Sequence, residues 1–263
     1  MVIDSLNELV ALCFWYVIAL SGIIANACAT ILLMRKKRKK ISDLLIIHLC
    51  MSELLLVVWH LGSRTLTWFG GLAKASMIQK VGSQFTTSLF YQSLIYISLD
   101  RMLAVRLNFR YRVVVTKERF QVIVAIIWIV AIITGIICGF IAYNNTLIWG
   151  TWSAITMMSI IVSYGYIICV LIQQRRKFNG DSARSHGKIR YRVPVWIVIS
   201  FFAFLFIPDI ILLINENIFS NWFLVMWYTN YLLDPIVYVF FEKCRNNKKL
   251  IQRRKPKIKV NVT

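Results

Sequence analysis

The sequence predicts an all-α fold: a seven-transmembrane helix bundle, with the N-terminus outside and the C-terminus cytosolic. Three observations predict it. Of the 263 residues, 59% are hydrophobic and only 16% charged, whereas a soluble domain carries about 25% charged residues. The apolar residues gather into runs matching the roughly 20 residues that a helix needs to cross a bilayer. All but three of the 31 Lys and Arg residues fall in four clusters that bound these runs on one side, as expected of cytosolic loops. The net charge of +20 is therefore a basic inner face rather than a nucleic-acid surface, and it should attract anionic inner-leaflet lipids.

The whole chain, 1–263, reads as a single membrane domain. The first span, about 9–34, carries no charge, and the preceding MVIDSLNE lacks the basic start of a cleavable signal. Six cations in RKKRKK follow. The second span, about 44–66, holds Glu53 in its interior, and the third, about 78–105, is uncharged from Val81 to Leu99. Residues 120–174 are uncharged throughout, too long for one crossing at about 1.5 Å per residue. The polar AYNNT segment and WGTW divide them into spans of about 120–142 and 149–173. The sixth span, about 192–214, holds Asp209, and the seventh, about 218–241, holds Asp234. The tail from Glu242 to Arg254 mixes apolar residues with many cations and suits a short membrane-surface helix after the last span. In it, Cys244 is a candidate for palmitoylation, with a plain buried thiol as the other reading. Asn144 begins a glycosylation pattern placed outside by this topology. None of the six cysteines falls clearly in an outer loop, so no disulfide is expected.

Ionisable residues inside a membrane are costly and usually functional. Asn26 lies in GIIANA, Glu53 in HLCMSELLL, Asp100 and Arg101 in SLIYISLDRMLAV, Asp209 directly after Pro208, and Asn230 four residues before Asp234 in NYLLDPIVY. A spacing of four puts two side chains on one helix face. Pro208 and Pro235 each remove a backbone donor and can bend their spans. A lone Arg101 could simply reach its charge to the interface.

Taken in order, these motifs resemble the rhodopsin-like G-protein-coupled receptors. Asn26 matches that family's first-span asparagine, and Glu53 stands where an aspartate is usual. Asp100-Arg101-Met102 resembles the Asp-Arg-Tyr triplet, Phe109 the hydrophobic plug of the second inner loop, and Trp128 the fourth-span tryptophan. Trp68-Phe69-Gly70 resembles the motif of the first outer loop. Phe202, Phe206 and Pro208 resemble the sixth-span signature, with Phe206 for the usual tryptophan. Asp234-Pro235-Ile236-Val237-Tyr238 resembles the seventh-span motif in its aspartate form. Short outer loops and the absent fifth-span proline are similar to melanocortin-like receptors, while RLNFRYRVVVT is similar to adenosine-like ones.

The resemblance implies roles. Asp100, Arg101, Phe109, Tyr164 and Tyr238 form the G-protein coupling switch. Asn26, Glu53, Asn230 and Asp234 form a core polar cluster. Phe202, Phe206, Pro208 and Pro235 form the activation hinge. Ser83, Gln84, Thr87, Asp209 and Tyr228 line a pocket for an extracellular ligand. Phe90 occupies the third-span position that usually supplies a hydroxyl to a sodium site, so the two core carboxyls are expected to share a proton instead, since two charges in one dry pocket are expensive. A heterotrimeric G protein is the implied partner, at the plasma membrane. Two other classes remain: a seven-span pseudo-receptor without signalling, and a transporter or channel, for which neither inverted repeats nor a continuous polar stripe is visible. His48, His60 and His186 form no metal-ligand set, and His48 and His60 read as ordinary polar helix residues. No cofactor is expected.

Overall fold

In a computed structural model of the chain, residues 6–37, 39–69, 77–107, 110–141, 145–177, 207–208, 211 and 222–237 are described. The helices are α1 (Leu6–Met34), α2 (Ile41–Phe69), α3 (Met77–Leu107), α4 (Tyr111–Val114), α5 (Lys117–Ile141) and α6 (Asn145–Lys177), and residues 222–237 are also helical. The first five expected spans thus appear as long helices within a few residues of their expected ends. The expected break at AYNNT separates α5 from α6, although α6 begins earlier than expected, before WGTW. The four-residue α4 was not expected. Most of the sixth span lies outside the described residues, as do the surface helix and the site residues Phe109, Asn144, Phe202, Phe206, Asp209, Tyr238 and Cys244.

The packing explains which helices read as membrane spans. The windows Leu9–Met34, Ile41–Leu66 and Lys117–Phe140 are long and apolar enough to cross a bilayer. Their outer faces carry a stripe of exposed aliphatic and aromatic residues, such as Val17, Ile24, Ile126 and Phe140, which lipid would cover. Helix α3 is different. It packs against α2, α5 and α6, so protein surrounds it. It can therefore bury Gln84, Thr86, Thr87, Ser88, Ser93 and Ser98. Buried hydroxyls need partners, and the helix supplies several itself: Thr86 Oγ1 donates to the Gly82 carbonyl at 2.9 Å and Ser98 Oγ to Ile95 at 2.8 Å.

Small residues set how closely α3 and α5 approach. Gly135 and Gly139 lie one turn apart on α5, facing Phe85 and Val81 on α3. A Cβ at Gly135 would stand 2.8 Å from the Phe85 Cβ and 3.1 Å from its Cα, and one at Gly139 would lie 2.9 Å from the Val81 Cα. Backbone approach of this kind is the means by which glycine pairs join helices in lipid, where apolar burial gives little drive. On the other flank, Gly82 leaves room for the Trp59 ring of α2.

A directional hydrogen-bond chain ties α2, α3 and α5 together. The Trp128 indole N–H can only donate, and it donates to His48 Nε2 at 3.2 Å. The proton of neutral His48 is therefore on Nδ1, which donates to Ser93 Oγ at 3.2 Å. The Ser93 hydroxyl passes its own hydrogen to the Leu89 carbonyl at 2.6 Å. Each donor has one acceptor, so the chain runs one way. Replacing His48 by Ala would strand the Trp128 N–H, at about 1–3 kcal/mol for an unmet buried group. We expect His48→Ala to lower the melting temperature of the detergent-solubilised protein, with His48→Asn, which keeps one donor and one acceptor, recovering part of the loss. Equal melting of wild type and His48→Ala would show that the chain contributes nothing.

Candidate functional site

The site begins with a backbone defect. Pro235 has no N–H, so the carbonyl of Tyr231, four residues earlier, loses its helical donor. Asn26 of α1 supplies one: its Nδ2 lies 3.0 Å from that carbonyl and 3.1 Å from the Gly22 carbonyl. Segment 222–237 is thereby tied to α1 at its proline. Beside this joint, Asn230 Nδ2 donates to Asp234 Oδ2 at 3.3 Å, one turn apart as their spacing predicts.

Glu53 of α2 faces the same cluster and is fully buried. Asp234 and Asn26 are its polar neighbours, both within reach of its carboxyl. The sequence-predicted core cluster is thus brought together from α1, α2 and segment 222–237. Phe90 of α3 is also wholly buried and meets Tyr231 edge to face, with centroids 4.9 Å apart. An aromatic ring therefore occupies the α3 side of the cluster where a hydroxyl would otherwise reach in.

At the other end of α3, Asp100 is buried and Arg101 is half exposed. The Arg101 Nε stands 3.9 Å from Asp100 Oδ2, a loose ion pair without hydrogen-bond geometry. The closer partner of Asp100 is Tyr111, whose hydroxyl donates to Oδ1 at 2.5 Å. Helix α4 makes this possible by folding the second connection back under α3. Burial first, and then the bond to the Asp100 carboxyl, hold the Tyr111 hydroxyl well above its ordinary range, so it stays a donor at every physiological pH. Tyr164 of α6 is buried within electrostatic reach of both Arg101 and Asp100.

An acid–base pair at one end of a central helix, a buried carboxyl cluster above it and a proline-freed carbonyl held by an asparagine are the features that a family comparison can test. Residues 25–148 match the family model described as 7 transmembrane receptor (rhodopsin family). Over these residues the chain is similar to the rhodopsin-like receptors. The match takes in Asn26, Glu53, Asp100 and Arg101 and ends before segment 222–237. A comparison with curated proteins finds no match.

The receptor is accordingly a multi-pass membrane protein. In the half of the bundle away from Arg101, the structure places Gln84 and Thr87 of α3 in the interior and leaves Ser83 half-buried. Gln84 Nε2 and Thr87 Oγ1 are buried without a hydrogen-bond partner, and the buried Tyr228 hydroxyl lies against the Trp15 indole. Pro208 is buried, as is Pro235. Among the described residues of the receptor no group of His, Cys, Asp and Glu suits a metal. Two contributors escaped the sequence reading. Tyr111 sits in a basic loop with no apolar period to mark it. His48 looks like one polar residue in an apolar helix, and nothing in its spacing marks its partners.

Proposed function

We propose that the receptor transmits binding of an extracellular ligand to a heterotrimeric G protein across the plasma membrane. The observation that carries this reading is the buried Asp100 held between Arg101 and Tyr111 at the end of α3. A loose pair at 3.9 Å is suited to being broken: Arg101 is restrained but not locked, so a modest change in the bundle can free its guanidinium to face a partner. In the proposed active state, the sixth span swings outward about Pro208, and Tyr164 and Tyr238 fill the space beneath. Phe109 docks the second inner loop on the G protein. Pro235, whose freed carbonyl is tied to Asn26, gives the seventh span its part of the movement.

The core cluster is the proposed relay. Glu53 and Asp234 share a proton, with Asn26 and Asn230 bonding what remains, and Phe90 excludes a sodium ion. The outer residues Ser83, Gln84, Thr87, Asp209 and Tyr228 line the ligand pocket, Asp209 meeting a cationic ligand group. Asn144 would carry a glycan, Cys244 a palmitoyl chain, and the basic inner face would rest on anionic lipid.

The test is nucleotide exchange on heterotrimeric G proteins by cells or membranes carrying the full chain, first without ligand and then against a ligand panel. The proposal expects exchange above that of mock membranes, with Asp209→Asn lowering the potency of an active ligand. Exchange equal to mock membranes under every condition would favour the pseudo-receptor reading.

A further inference from the structure

The two oxygens of Asp100 are held unequally. Oδ1 accepts from the Tyr111 hydroxyl. Oδ2 has the loose ion pair with Arg101 at 3.9 Å and no hydrogen bond, although the residue is only 2% exposed. One turn earlier on α3, the Tyr96 hydroxyl is buried and likewise makes no hydrogen bond. Residues four apart share a helix face, and Tyr96 lies within electrostatic reach of both Asp100 and Tyr111. Its ring stacks on Phe120 of α5, with centroids 6.3 Å apart and planes inclined by 23°, which keeps the phenol at this end of α3. The residue as a whole is only half-buried, so the ring has room to turn.

A donor without an acceptor thus stands one turn from an acceptor without a hydrogen-bond donor. Releasing Arg101 sharpens the mismatch. A buried carboxylate oxygen that loses its cation keeps its charge in a dry setting, which is expensive. The ion pair therefore resists opening unless another donor takes over. A phenol can donate to a carboxylate, and hydrogen bonds to charged acceptors are among the strong ones. A tyrosine re-aims its hydroxyl by turning about its side-chain bonds, with no shift of the backbone.

We propose that Tyr96 is a positioning residue of the coupling switch, its hydroxyl taking Asp100 Oδ2 when Arg101 turns away. This deepens the receptor reading above and rests on it for the purpose of the movement. Tyr111 keeps Oδ1 throughout. The carboxylate is satisfied in both states, first by Tyr111 and Arg101, then by Tyr111 and Tyr96. Tyr96 thereby lowers the cost of freeing the guanidinium without itself touching the partner.

The full chain in lipid nanodiscs tests this without any G protein, by nuclear magnetic resonance of tyrosines labelled with carbon-13 at the ring carbon that bears the hydroxyl. Comparison with Tyr96→Phe assigns the Tyr96 signal. Arg101→Gln removes the guanidinium and so imitates its release. It should move the Tyr96 signal in the direction of a stronger hydrogen bond. Adding Asp100→Asn, which takes away the charge of the acceptor, should return the signal most of the way. Melting of each variant shows that it is folded, and Arg101→Ala replaces Arg101→Gln if the latter is not. A signal unmoved by loss of Arg101, or moved as far when Asp100 is also replaced, would overturn the proposal. Nucleotide exchange per receptor is measured separately. Tyr96→Phe should lower it about tenfold, the weight of one hydrogen bond to a charged group, and should melt no lower than wild type, because phenylalanine keeps the stack on Phe120. Exchange equal to wild type, or falling only in step with a lowered melting temperature, would also overturn the proposal. Wild-type exchange equal to that of mock membranes, with the Tyr96 signal moving as expected, defeats the signalling reading and leaves the handover of Asp100 standing.

Discussion

Arg101→Ala is expected to abolish G-protein activation while leaving the receptor at the cell surface. Arg101 is half exposed and contributes only a loose ion pair at 3.9 Å. A contact of that kind adds little stability, typically about 0–1 kcal/mol near a surface, so its loss should not unfold the bundle. Asp100 keeps the Tyr111 hydroxyl, its shorter partner. The charge that the proposal presents to the G protein would nevertheless be gone. Basal and ligand-driven exchange should both fall to background, with surface labelling close to wild type. The companion variant points the other way. Tyr111→Phe removes the donor that stabilises the Asp100 carboxylate, making its protonation easier and its hold on Arg101 weaker. Basal exchange should rise. Coupling retained by Arg101→Ala, or lowered basal exchange in Tyr111→Phe, would contradict the assigned roles.

Gly139→Leu is expected to have the largest effect on folding. A Cβ there meets Val81 at both its side chain and its backbone, so a change of rotamer cannot relieve the overlap and α3 and α5 must move apart. Overpacking costs about 1–3 kcal/mol where side chains can adjust, and this site has less freedom. Helix α3 also contacts α2 and α6, so a displacement spreads through the bundle and would pull Trp128 away from His48. Costs of that size change cellular abundance several-fold. Surface expression should drop at least that much and melt at a lower temperature in detergent. Gly22→Ala is the control, because a Cβ at Gly22 meets nothing within 4 Å. Equal expression of Gly139→Leu and Gly22→Ala would mean that the close approach of α3 and α5 is not needed.

The long helices were legible because lipid leaves little choice: an apolar run of sufficient length has to satisfy its backbone internally, and helix does so. The core cluster was legible for the complementary reason. Asn26, Glu53, Asn230 and Asp234 stand out in apolar surroundings, and the spacing of Asn230 and Asp234 already placed them on one face. What the residues did not announce was partnership. Asp100 and Arg101 are adjacent in the chain and invited the idea of a tight pair, whereas the structure gives Asp100 to Tyr111. That depends on α4, four residues in a basic connection, too short for any period to develop. His48 was similarly opaque, since a histidine's partner can come from any neighbouring helix.

All of these roles depend on which face of the membrane each residue meets. An epitope tag at each end of the full chain, stained in intact and then permeabilised cells, tests that directly. An odd number of crossings with the basic connections inside predicts that the N-terminal tag stains on intact cells and the C-terminal tag only after permeabilisation. Both tags staining on intact cells, or both only after permeabilisation, would contradict the seven-span bundle and the signalling role built on it.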